Sequence, residues 1–149
     1  MDLRSYRNED WKAVREIYDL SKPDEMHGVI EPSAILPLES DQSMMALFRD
    51  SQIVVAEESH RVIGFAGNRG TFITWLFVDP SSRRKGIATA LIREILGRVN
   101  RPVTLNVVMS NIAALALYRR NGFTIEREFP GQFQGMPCKV AKLRHEAAA

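Results

Sequence analysis

Three consecutive cations, Arg83, Arg84 and Lys85, run directly into Gly86, Ile87, Ala88 and Thr89. Such a segment can hold an anion if a strand ends before it and a helix begins within it. The first backbone N–H groups of a helix have no partner inside the helix, and the macrodipole is positive at that end. Small residues at positions 86 and 88 would let a phosphate come close to the backbone. Without that context a basic triplet is an ordinary solvated turn. Two familiar phosphate motifs do not fit. Lys85-Gly86 reverses the Gly-Lys order of a P-loop and lacks its upstream glycine, while Gly64, Gly67 and Gly70 are not spaced as in the dinucleotide fingerprint.

The strand and the helix that the loop requires are both legible. Thr71–Val78 is rich in β-branched and aromatic residues, and after Asp79-Pro80 the period changes: Ile87, Leu91, Ile95 and Val99 fall on one helical face, which predicts a helix from Gly86 to Val99. Upstream, Leu3–Tyr6 reads as a strand, and Asn8 can cap a helix carrying Trp11, Val14, Ile17 and Tyr18 on one side. Ser21 to Pro37 is broken up by Pro23, Gly28, Pro32 and Pro37 and reads as a loop, followed by a helix near Ser43–Arg49. Ile53–Glu57 and Val62–Ala66 form a hairpin. Downstream, Val103–Val108 is a strand, Ile112–Arg120 a helix stopped by Asn121-Gly122, and Phe123–Phe129 and Cys138–Leu143 are the final strands. The order β-α-α-β-β-β-α-β-α-β-β implies an α+β sheet with helices on its faces. Residues 1–145 read as a single domain, and 146–149, Glu-Ala-Ala-Ala, as a tail outside the fold.

Arg83-Arg84-Lys85-Gly86-Ile87-Ala88 resembles the acetyl-CoA-binding motif of the GCN5-related N-acetyltransferase (GNAT) family, Arg/Gln-x-x-Gly-x-Gly/Ala, and Leu76-Phe77-Val78-Asp79-Pro80 before it is typical of that family. A second element is similar to the helix after the family's fifth strand: Asn111, Ala113-Ala114, then Leu117-Tyr118-Arg119-Arg120-Asn121-Gly122-Phe123. The resemblance extends over nearly the whole chain. It implies a mixed, mostly antiparallel sheet of about six or seven strands flanked by about four helices, with acetyl-CoA as co-substrate, an amine as acceptor and no metal. It also implies that the loop beginning at Arg83 binds acetyl-CoA, that Leu76, Phe77 and Val78 hold the pantetheine arm, that Arg84, Lys85, Gly86, Ile87, Ala88 and Thr89 hold the pyrophosphate, that Asn111 meets the arm from its other side, and that Tyr118 is the general acid for the leaving thiolate. Taken alone, Asn111 would cap the helix at Ile112 and Tyr118 would be a packing aromatic.

No general base is evident. In relatives that acetylate the N-terminal amine of a ribosomal protein, which the chain resembles most in this helix and the final strands, a glutamate stands where this chain has Asn106. Asparagine cannot take a proton, so an α-amine near pKa ~7.8 suits the site better than a lysine near ~10.4. Glu25, His27 and Glu31 lie where the family shapes its acceptor site and are candidates to bind or deprotonate the amine.

Composition sets the limits. A 149-residue chain buries roughly 68–70% of its unfolded surface, enough for an unaided core. One cysteine, Cys138, excludes an internal disulfide framework, and three dispersed histidines give no metal-ligand spacing. A reducing, cytoplasmic compartment and a protein free of the membrane are expected. The formal charge of +2 is too small to point to nucleic acid. Two further readings compete with the enzyme: a CoA-binding regulatory module without turnover, and a nucleic-acid-binding domain using Arg83-Arg84-Lys85 and Arg119-Arg120. The second ranks well below, because no stacking aromatics interleave with those basic residues. Members of the family are often dimers, and the sequence leaves open whether this chain is a homodimer.

Overall fold

The computed structural model describes residues 1–146, so residues 147–149 of the expected tail lie outside the described residues. The chain runs β1 (Asp2–Ser5), α1 (Trp11–Glu25), α2 (Gln42–Arg49), β2 (Gln52–Glu58), β3 (Arg61–Arg69), β4 (Phe72–Val78), α3 (Ile87–Arg98), β5 (Val103–Val108), α4 (Ile112–Arg120), β6 (Thr124–Phe133) and β7 (Met136–His145). The strands form one seven-stranded sheet in the order β1-β2-β3-β4-β5-β7-β6. Every neighbouring pair is antiparallel except β4 and β5, which run parallel and register at Phe72↔Thr104 alone.

The middle of the sheet is covered on both faces, which is why Val62–Asn68 of β3 is buried at every position. On one face Val14, Ile17 and Tyr18 of α1 and Phe48 of α2 pack against Phe65, Trp75 and Phe77. On the other, Ile87, Leu91, Ile92 and Ile95 of α3 pack with Leu105, Val107, Tyr118 and Phe123. The turn between β2 and β3 is two residues long, with Ser59 and His60 both at positive φ (53° and 62°), the arrangement that matches the twist of a tight hairpin.

Two expectations near the N-terminus need correction. Asn8 does not cap the first helix; it opens a short 3₁₀ turn, and Asp10 precedes α1 instead, its carboxylate accepting from the Arg7 N–H at 2.8 Å and from Arg4 Nη1 and Nη2 at 2.8 and 2.9 Å. The helix also does not stop before Ser21 but continues through Pro23 to Glu25. Proline costs a helix its bond to the carbonyl four residues back. Here that residue is Asp19, whose carboxylate accepts the Leu38 N–H at 2.8 Å and ties the end of the helix to the loop that follows.

Candidate functional site

The single register point between β4 and β5 opens a cavity in the sheet. Beyond Phe72 and Thr104 the two strands part, and a space of about 830 Å³ lies between Ile73–Val78 on one side and Leu105–Val107 on the other. The parity of the β3–β4 pairing decides which backbone groups face it. Asp79 N–H bonds the Ile63 carbonyl at 2.8 Å, so Gly64 and Val78 oppose each other as a non-hydrogen-bonded pair. The Val78 N–H therefore points away from β3 into the gap. Two residues back, Leu76 opposite Ala66 does the same with its N–H and carbonyl. The Val78 carbonyl is taken by Ser21 Oγ, which donates at 3.3 Å and pins α1 to the end of β4. A bulge between Gly67 and Asn68 of β3 leaves Thr74 of β4 unpaired.

The start of α3 closes one end of the gap. Gly86 precedes the helix at φ 78°, Arg84 is also left-handed at 64°, and the first helical bond runs from Ala90 N–H to Gly86 C=O at 3.0 Å. A glycine offers no capping side chain, so the N–H groups of Ile87, Ala88 and Thr89 stay without intrahelical partners. Alternating left-handed residues in such a loop turn successive N–H groups toward one point, a concavity that suits anions. Arg83, Arg84, Gly86, Ile87, Ala88 and Thr89 all line the cavity, whereas Lys85 is exposed outside it. Arg83 is paired with Asp24 at 2.6 Å, which leaves Arg84 as the cavity-lining cation of the loop without an ion pair among the described residues.

On the opposite wall Asn111 caps α4, its Oδ1 accepting the Ala114 N–H at 3.2 Å, and it also lines the cavity. Tyr118 lines it from the last turn of α4 and is 7% exposed. Its placement follows from how the helix ends: Phe123 N–H returns to the Tyr118 carbonyl and Gly122 N–H to that of Arg119, both at 3.1 Å, with Gly122 at φ 92°. This is the Schellman arrangement, and its characteristic apolar contact is the Tyr118–Phe123 ring pair at 5.5 Å. Burial pushes the Tyr118 hydroxyl well above the ordinary phenol range, and the charge of Glu25 adds to the shift. The side chain is therefore a neutral donor at any physiological pH.

Of the acceptor-site candidates, Glu25 and Asn106 line the cavity, while His27 and Glu31 are exposed residues outside it. Extension of α1 to Glu25 is what brings that carboxylate in. The same extension delivers a residue that the reading from sequence missed. Lys22 is nearly buried, lines the cavity, and pairs with Glu25 Oε1 at 3.1 Å. Lys22 stands on the line Val14, Tyr18, Lys22 at spacings of four, and that helical period was the signal that could have found it.

Residues 49–125 match the family described as acetyltransferase (GNAT) domain. The chain is 38% identical over 79 residues to mycothiol acetyltransferase of Parafrankia sp. (strain EAN1pec), covering 50% of this chain and 24% of that protein. The match thus spans about a quarter of that relative's length. Among solved structures, ribosomal-protein-alanine N-acetyltransferase from Brucella melitensis aligns at TM-score 0.71 and 22% identity, over 99% of this chain and 100% of that one. A phosphinothricin acetyltransferase from Sinorhizobium meliloti in complex with acetyl-CoA aligns at TM-score 0.71 and 23% identity, over 99% and 88%. At these identities the two structures establish the fold.

Proposed function

Because the chain belongs to the acetyltransferase (GNAT) domain family, we propose that it is an N-acetyltransferase that passes an acetyl group from acetyl-CoA to a primary amine by direct attack of the amine. The observation that carries this reading is the gap between β4 and β5, with Leu76 and Val78 backbone groups facing it, a helix start at one end and Tyr118 on its wall. The donor set fits acetyl-CoA: N–H groups of Ile87–Thr89 and Arg84 for a pyrophosphate, and an unpaired strand edge for an amide-bearing arm.

When bound, acetyl-CoA supplies the thioester whose carbonyl carbon the amine attacks. The Val78 N–H, which faces the gap, donates to the carbonyl oxygen as negative charge develops there. Glu25 takes a proton from the attacking nitrogen, and Tyr118 donates its hydroxyl proton to the departing sulfur as the C–S bond breaks. One proton leaves nitrogen and one reaches sulfur, so amide and free thiol are the products. Asn106 has no proton-accepting group and serves at most as a hydrogen-bond partner.

Two measurements test this together: calorimetric titration of acetyl-CoA, and amine-dependent release of free thiol. Gly86→Glu should weaken acetyl-CoA binding strongly, because it places a carboxylate at the helix start where the anion is to sit. Full affinity in a folded G86E protein would remove the loop from the site. Binding without thiol release across a broad amine panel would leave a CoA-binding module in place of an enzyme.

A further inference from the structure

Lys22 sits in surroundings unusual for a lysine. Its side chain is 8% exposed, and its Nζ lies 4.7 Å from the Phe133 ring centroid, 5.6 Å from Tyr18 and 5.8 Å from Phe77. A buried ammonium needs hydrogen-bond acceptors for all three of its protons. Glu25 provides one at 3.1 Å, and no other acceptor meets Lys22 among the described residues. Two more donors are buried in the same cluster without partners: the hydroxyl of Tyr18 and the indole Nε1 of Trp75. Their rings are 5.9 Å apart, and Trp75 lines the cavity. Lys22 and Trp75 line this end of the cavity, Tyr18 is buried beside them, and Glu25 is the carboxylate bonded to Lys22.

We infer that this end is a subsite for a carboxylate on the acceptor, and that the acceptor class is the free α-amino acid, its amine at Glu25 and its carboxylate at Lys22. This rests on the acetyltransferase reading above. The spacing supports it. In an α-amino acid the amine nitrogen and the carboxylate carbon are separated by one carbon, roughly 2.5 Å apart. Lys22 Nζ and Glu25 Oε1 are themselves one hydrogen bond apart. Two opposite charges so close match an amine and a carboxylate on neighbouring atoms, not charges at the two ends of a long chain. The orientation follows from the surroundings. Glu25 carries the base in the proposed mechanism and is bonded to Lys22, so the amine belongs on the Glu25 side of the pair. Lys22 packs against Phe133 at the tip of the β6–β7 hairpin, which puts the carboxylate beneath that tip. That tip is held over this end by Gln134, which donates to the Ala34 carbonyl at 2.8 Å and accepts the Leu36 N–H at 2.9 Å. A carboxylate brought in there supplies the acceptor oxygens that the cluster lacks.

The test uses the whole chain and a set of L-α-amino acids, each assayed for thiol release beside its methyl ester and beside a dipeptide with the same first residue. The wild-type protein should acetylate one or more free acids with kcat/KM on the order of 100-fold above the matching ester, as expected for a desolvated charge pair. Lys22→Met, which keeps the length and apolar stem, should abolish the preference for the acid by raising KM for the acid, with acetyl-CoA affinity by calorimetry at the wild-type value. Equal rates for acid and ester in the wild type overturn the inference, and this comparison decides alone if K22M does not fold. Preference for the dipeptide overturns it as well, since Lys22 would then serve a peptide carbonyl. So does acid selectivity that survives in folded K22M. If esters are acetylated while acids are not, the acetyltransferase reading stands and the carboxylate subsite falls. If acetyl-CoA does not bind and no amine is turned over, both fall together.

Discussion

In the proposed mechanism Tyr118 and Glu25 divide the proton traffic, and their surroundings set what each can do. Burial holds the Tyr118 proton more tightly than in a free phenol. Against a thiol of pKa about 8.5, transfer from an ordinary tyrosine near 10 is already uphill by roughly 2 kcal/mol, so the role proposed for Tyr118 is that of a hydrogen-bond donor that gives up its proton late. Tyr118→Phe should therefore lower kcat by about 100-fold, the low end for a lost general acid, and leave the calorimetric affinity for acetyl-CoA near wild type. Equal kcat with chemistry rate-limiting would reduce Tyr118 to a packing residue beside Phe123. Glu25→Gln keeps the shape and removes the base. The rate should then follow the fraction of acceptor that is already neutral, so kcat/KM should keep rising with pH up to the pKa of the amine. An unchanged pH profile in E25Q would send the search for the base elsewhere.

At the scale of elements, Tyr118 is placed by the end of its helix more than by the helix itself. Gly122 sits at φ 92°, and a Cβ there would lie 2.8 Å from His145 Nε2. Gly135 is also left-handed, at φ 81°, but a Cβ there meets nothing within 4 Å. Gly135→Ala should thus cost about 1–2 kcal/mol of backbone strain alone, and Gly122→Ala more, together with a fall in kcat as Tyr118 shifts. Urea denaturation of both variants checks the order; equal losses would mean that His145 moves aside freely. The helix stop at Asn121-Gly122, the strand ahead of the basic loop and the period of α3 were all legible in the sequence, because each is written in local chemistry. The end of α1 was not. Pro23 reads as a breaker, yet near the last turn it forfeits little, and the misreading hid Lys22. The faces against Lys22 come from β4 and from a hairpin tip more than a hundred residues away, as Phe133 shows, and no local pattern announces that meeting. The parting of β4 and β5 was equally invisible, since pairing depends on tertiary placement and not on the composition of either strand.

At the scale of the whole molecule, acid should unfold the protein through two buried carboxylates. Hydrogen bonds from Arg4 hold the Asp10 carboxyl below its usual range against the opposing effect of burial. At Asp79 burial is the largest influence and pushes the pKa up, but bonds from Ser81 and Arg61 together outweigh it, so the net shift is downward. A lowered folded pKa contributes stability that is complete above the unfolded value near 3.9 and is lost as pH falls through the folded one. Stability should be level from pH 7 to about 5 and fall below about 4, and Asp10→Asn should flatten that decline. Guanidinium titrations across this range measure it; a loss of stability centred near pH 6 would point to histidine instead.

The lone register point between β4 and β5 has a mechanical consequence. A sheet transmits force and order from strand to strand through its ladder of hydrogen bonds, and here the ladder between the first four strands and the last three has one rung, Phe72↔Thr104. Beyond that rung no ladder joins the two parts among the described residues, and the packing of the helices across them is what remains to hold them together. A polar chain lying in the gap and bonding to Leu76 and Val78 would work as a stitch. Amide hydrogen exchange should therefore slow on saturation with acetyl-CoA, most of all at Leu76 and Val78 on β4. The gain at one hundred times Kd should approach about 2.7 kcal/mol in global stability. Slowing confined to the Arg84–Thr89 loop, with β4 unaffected, would show that the two parts are already held together by the helices packed across them.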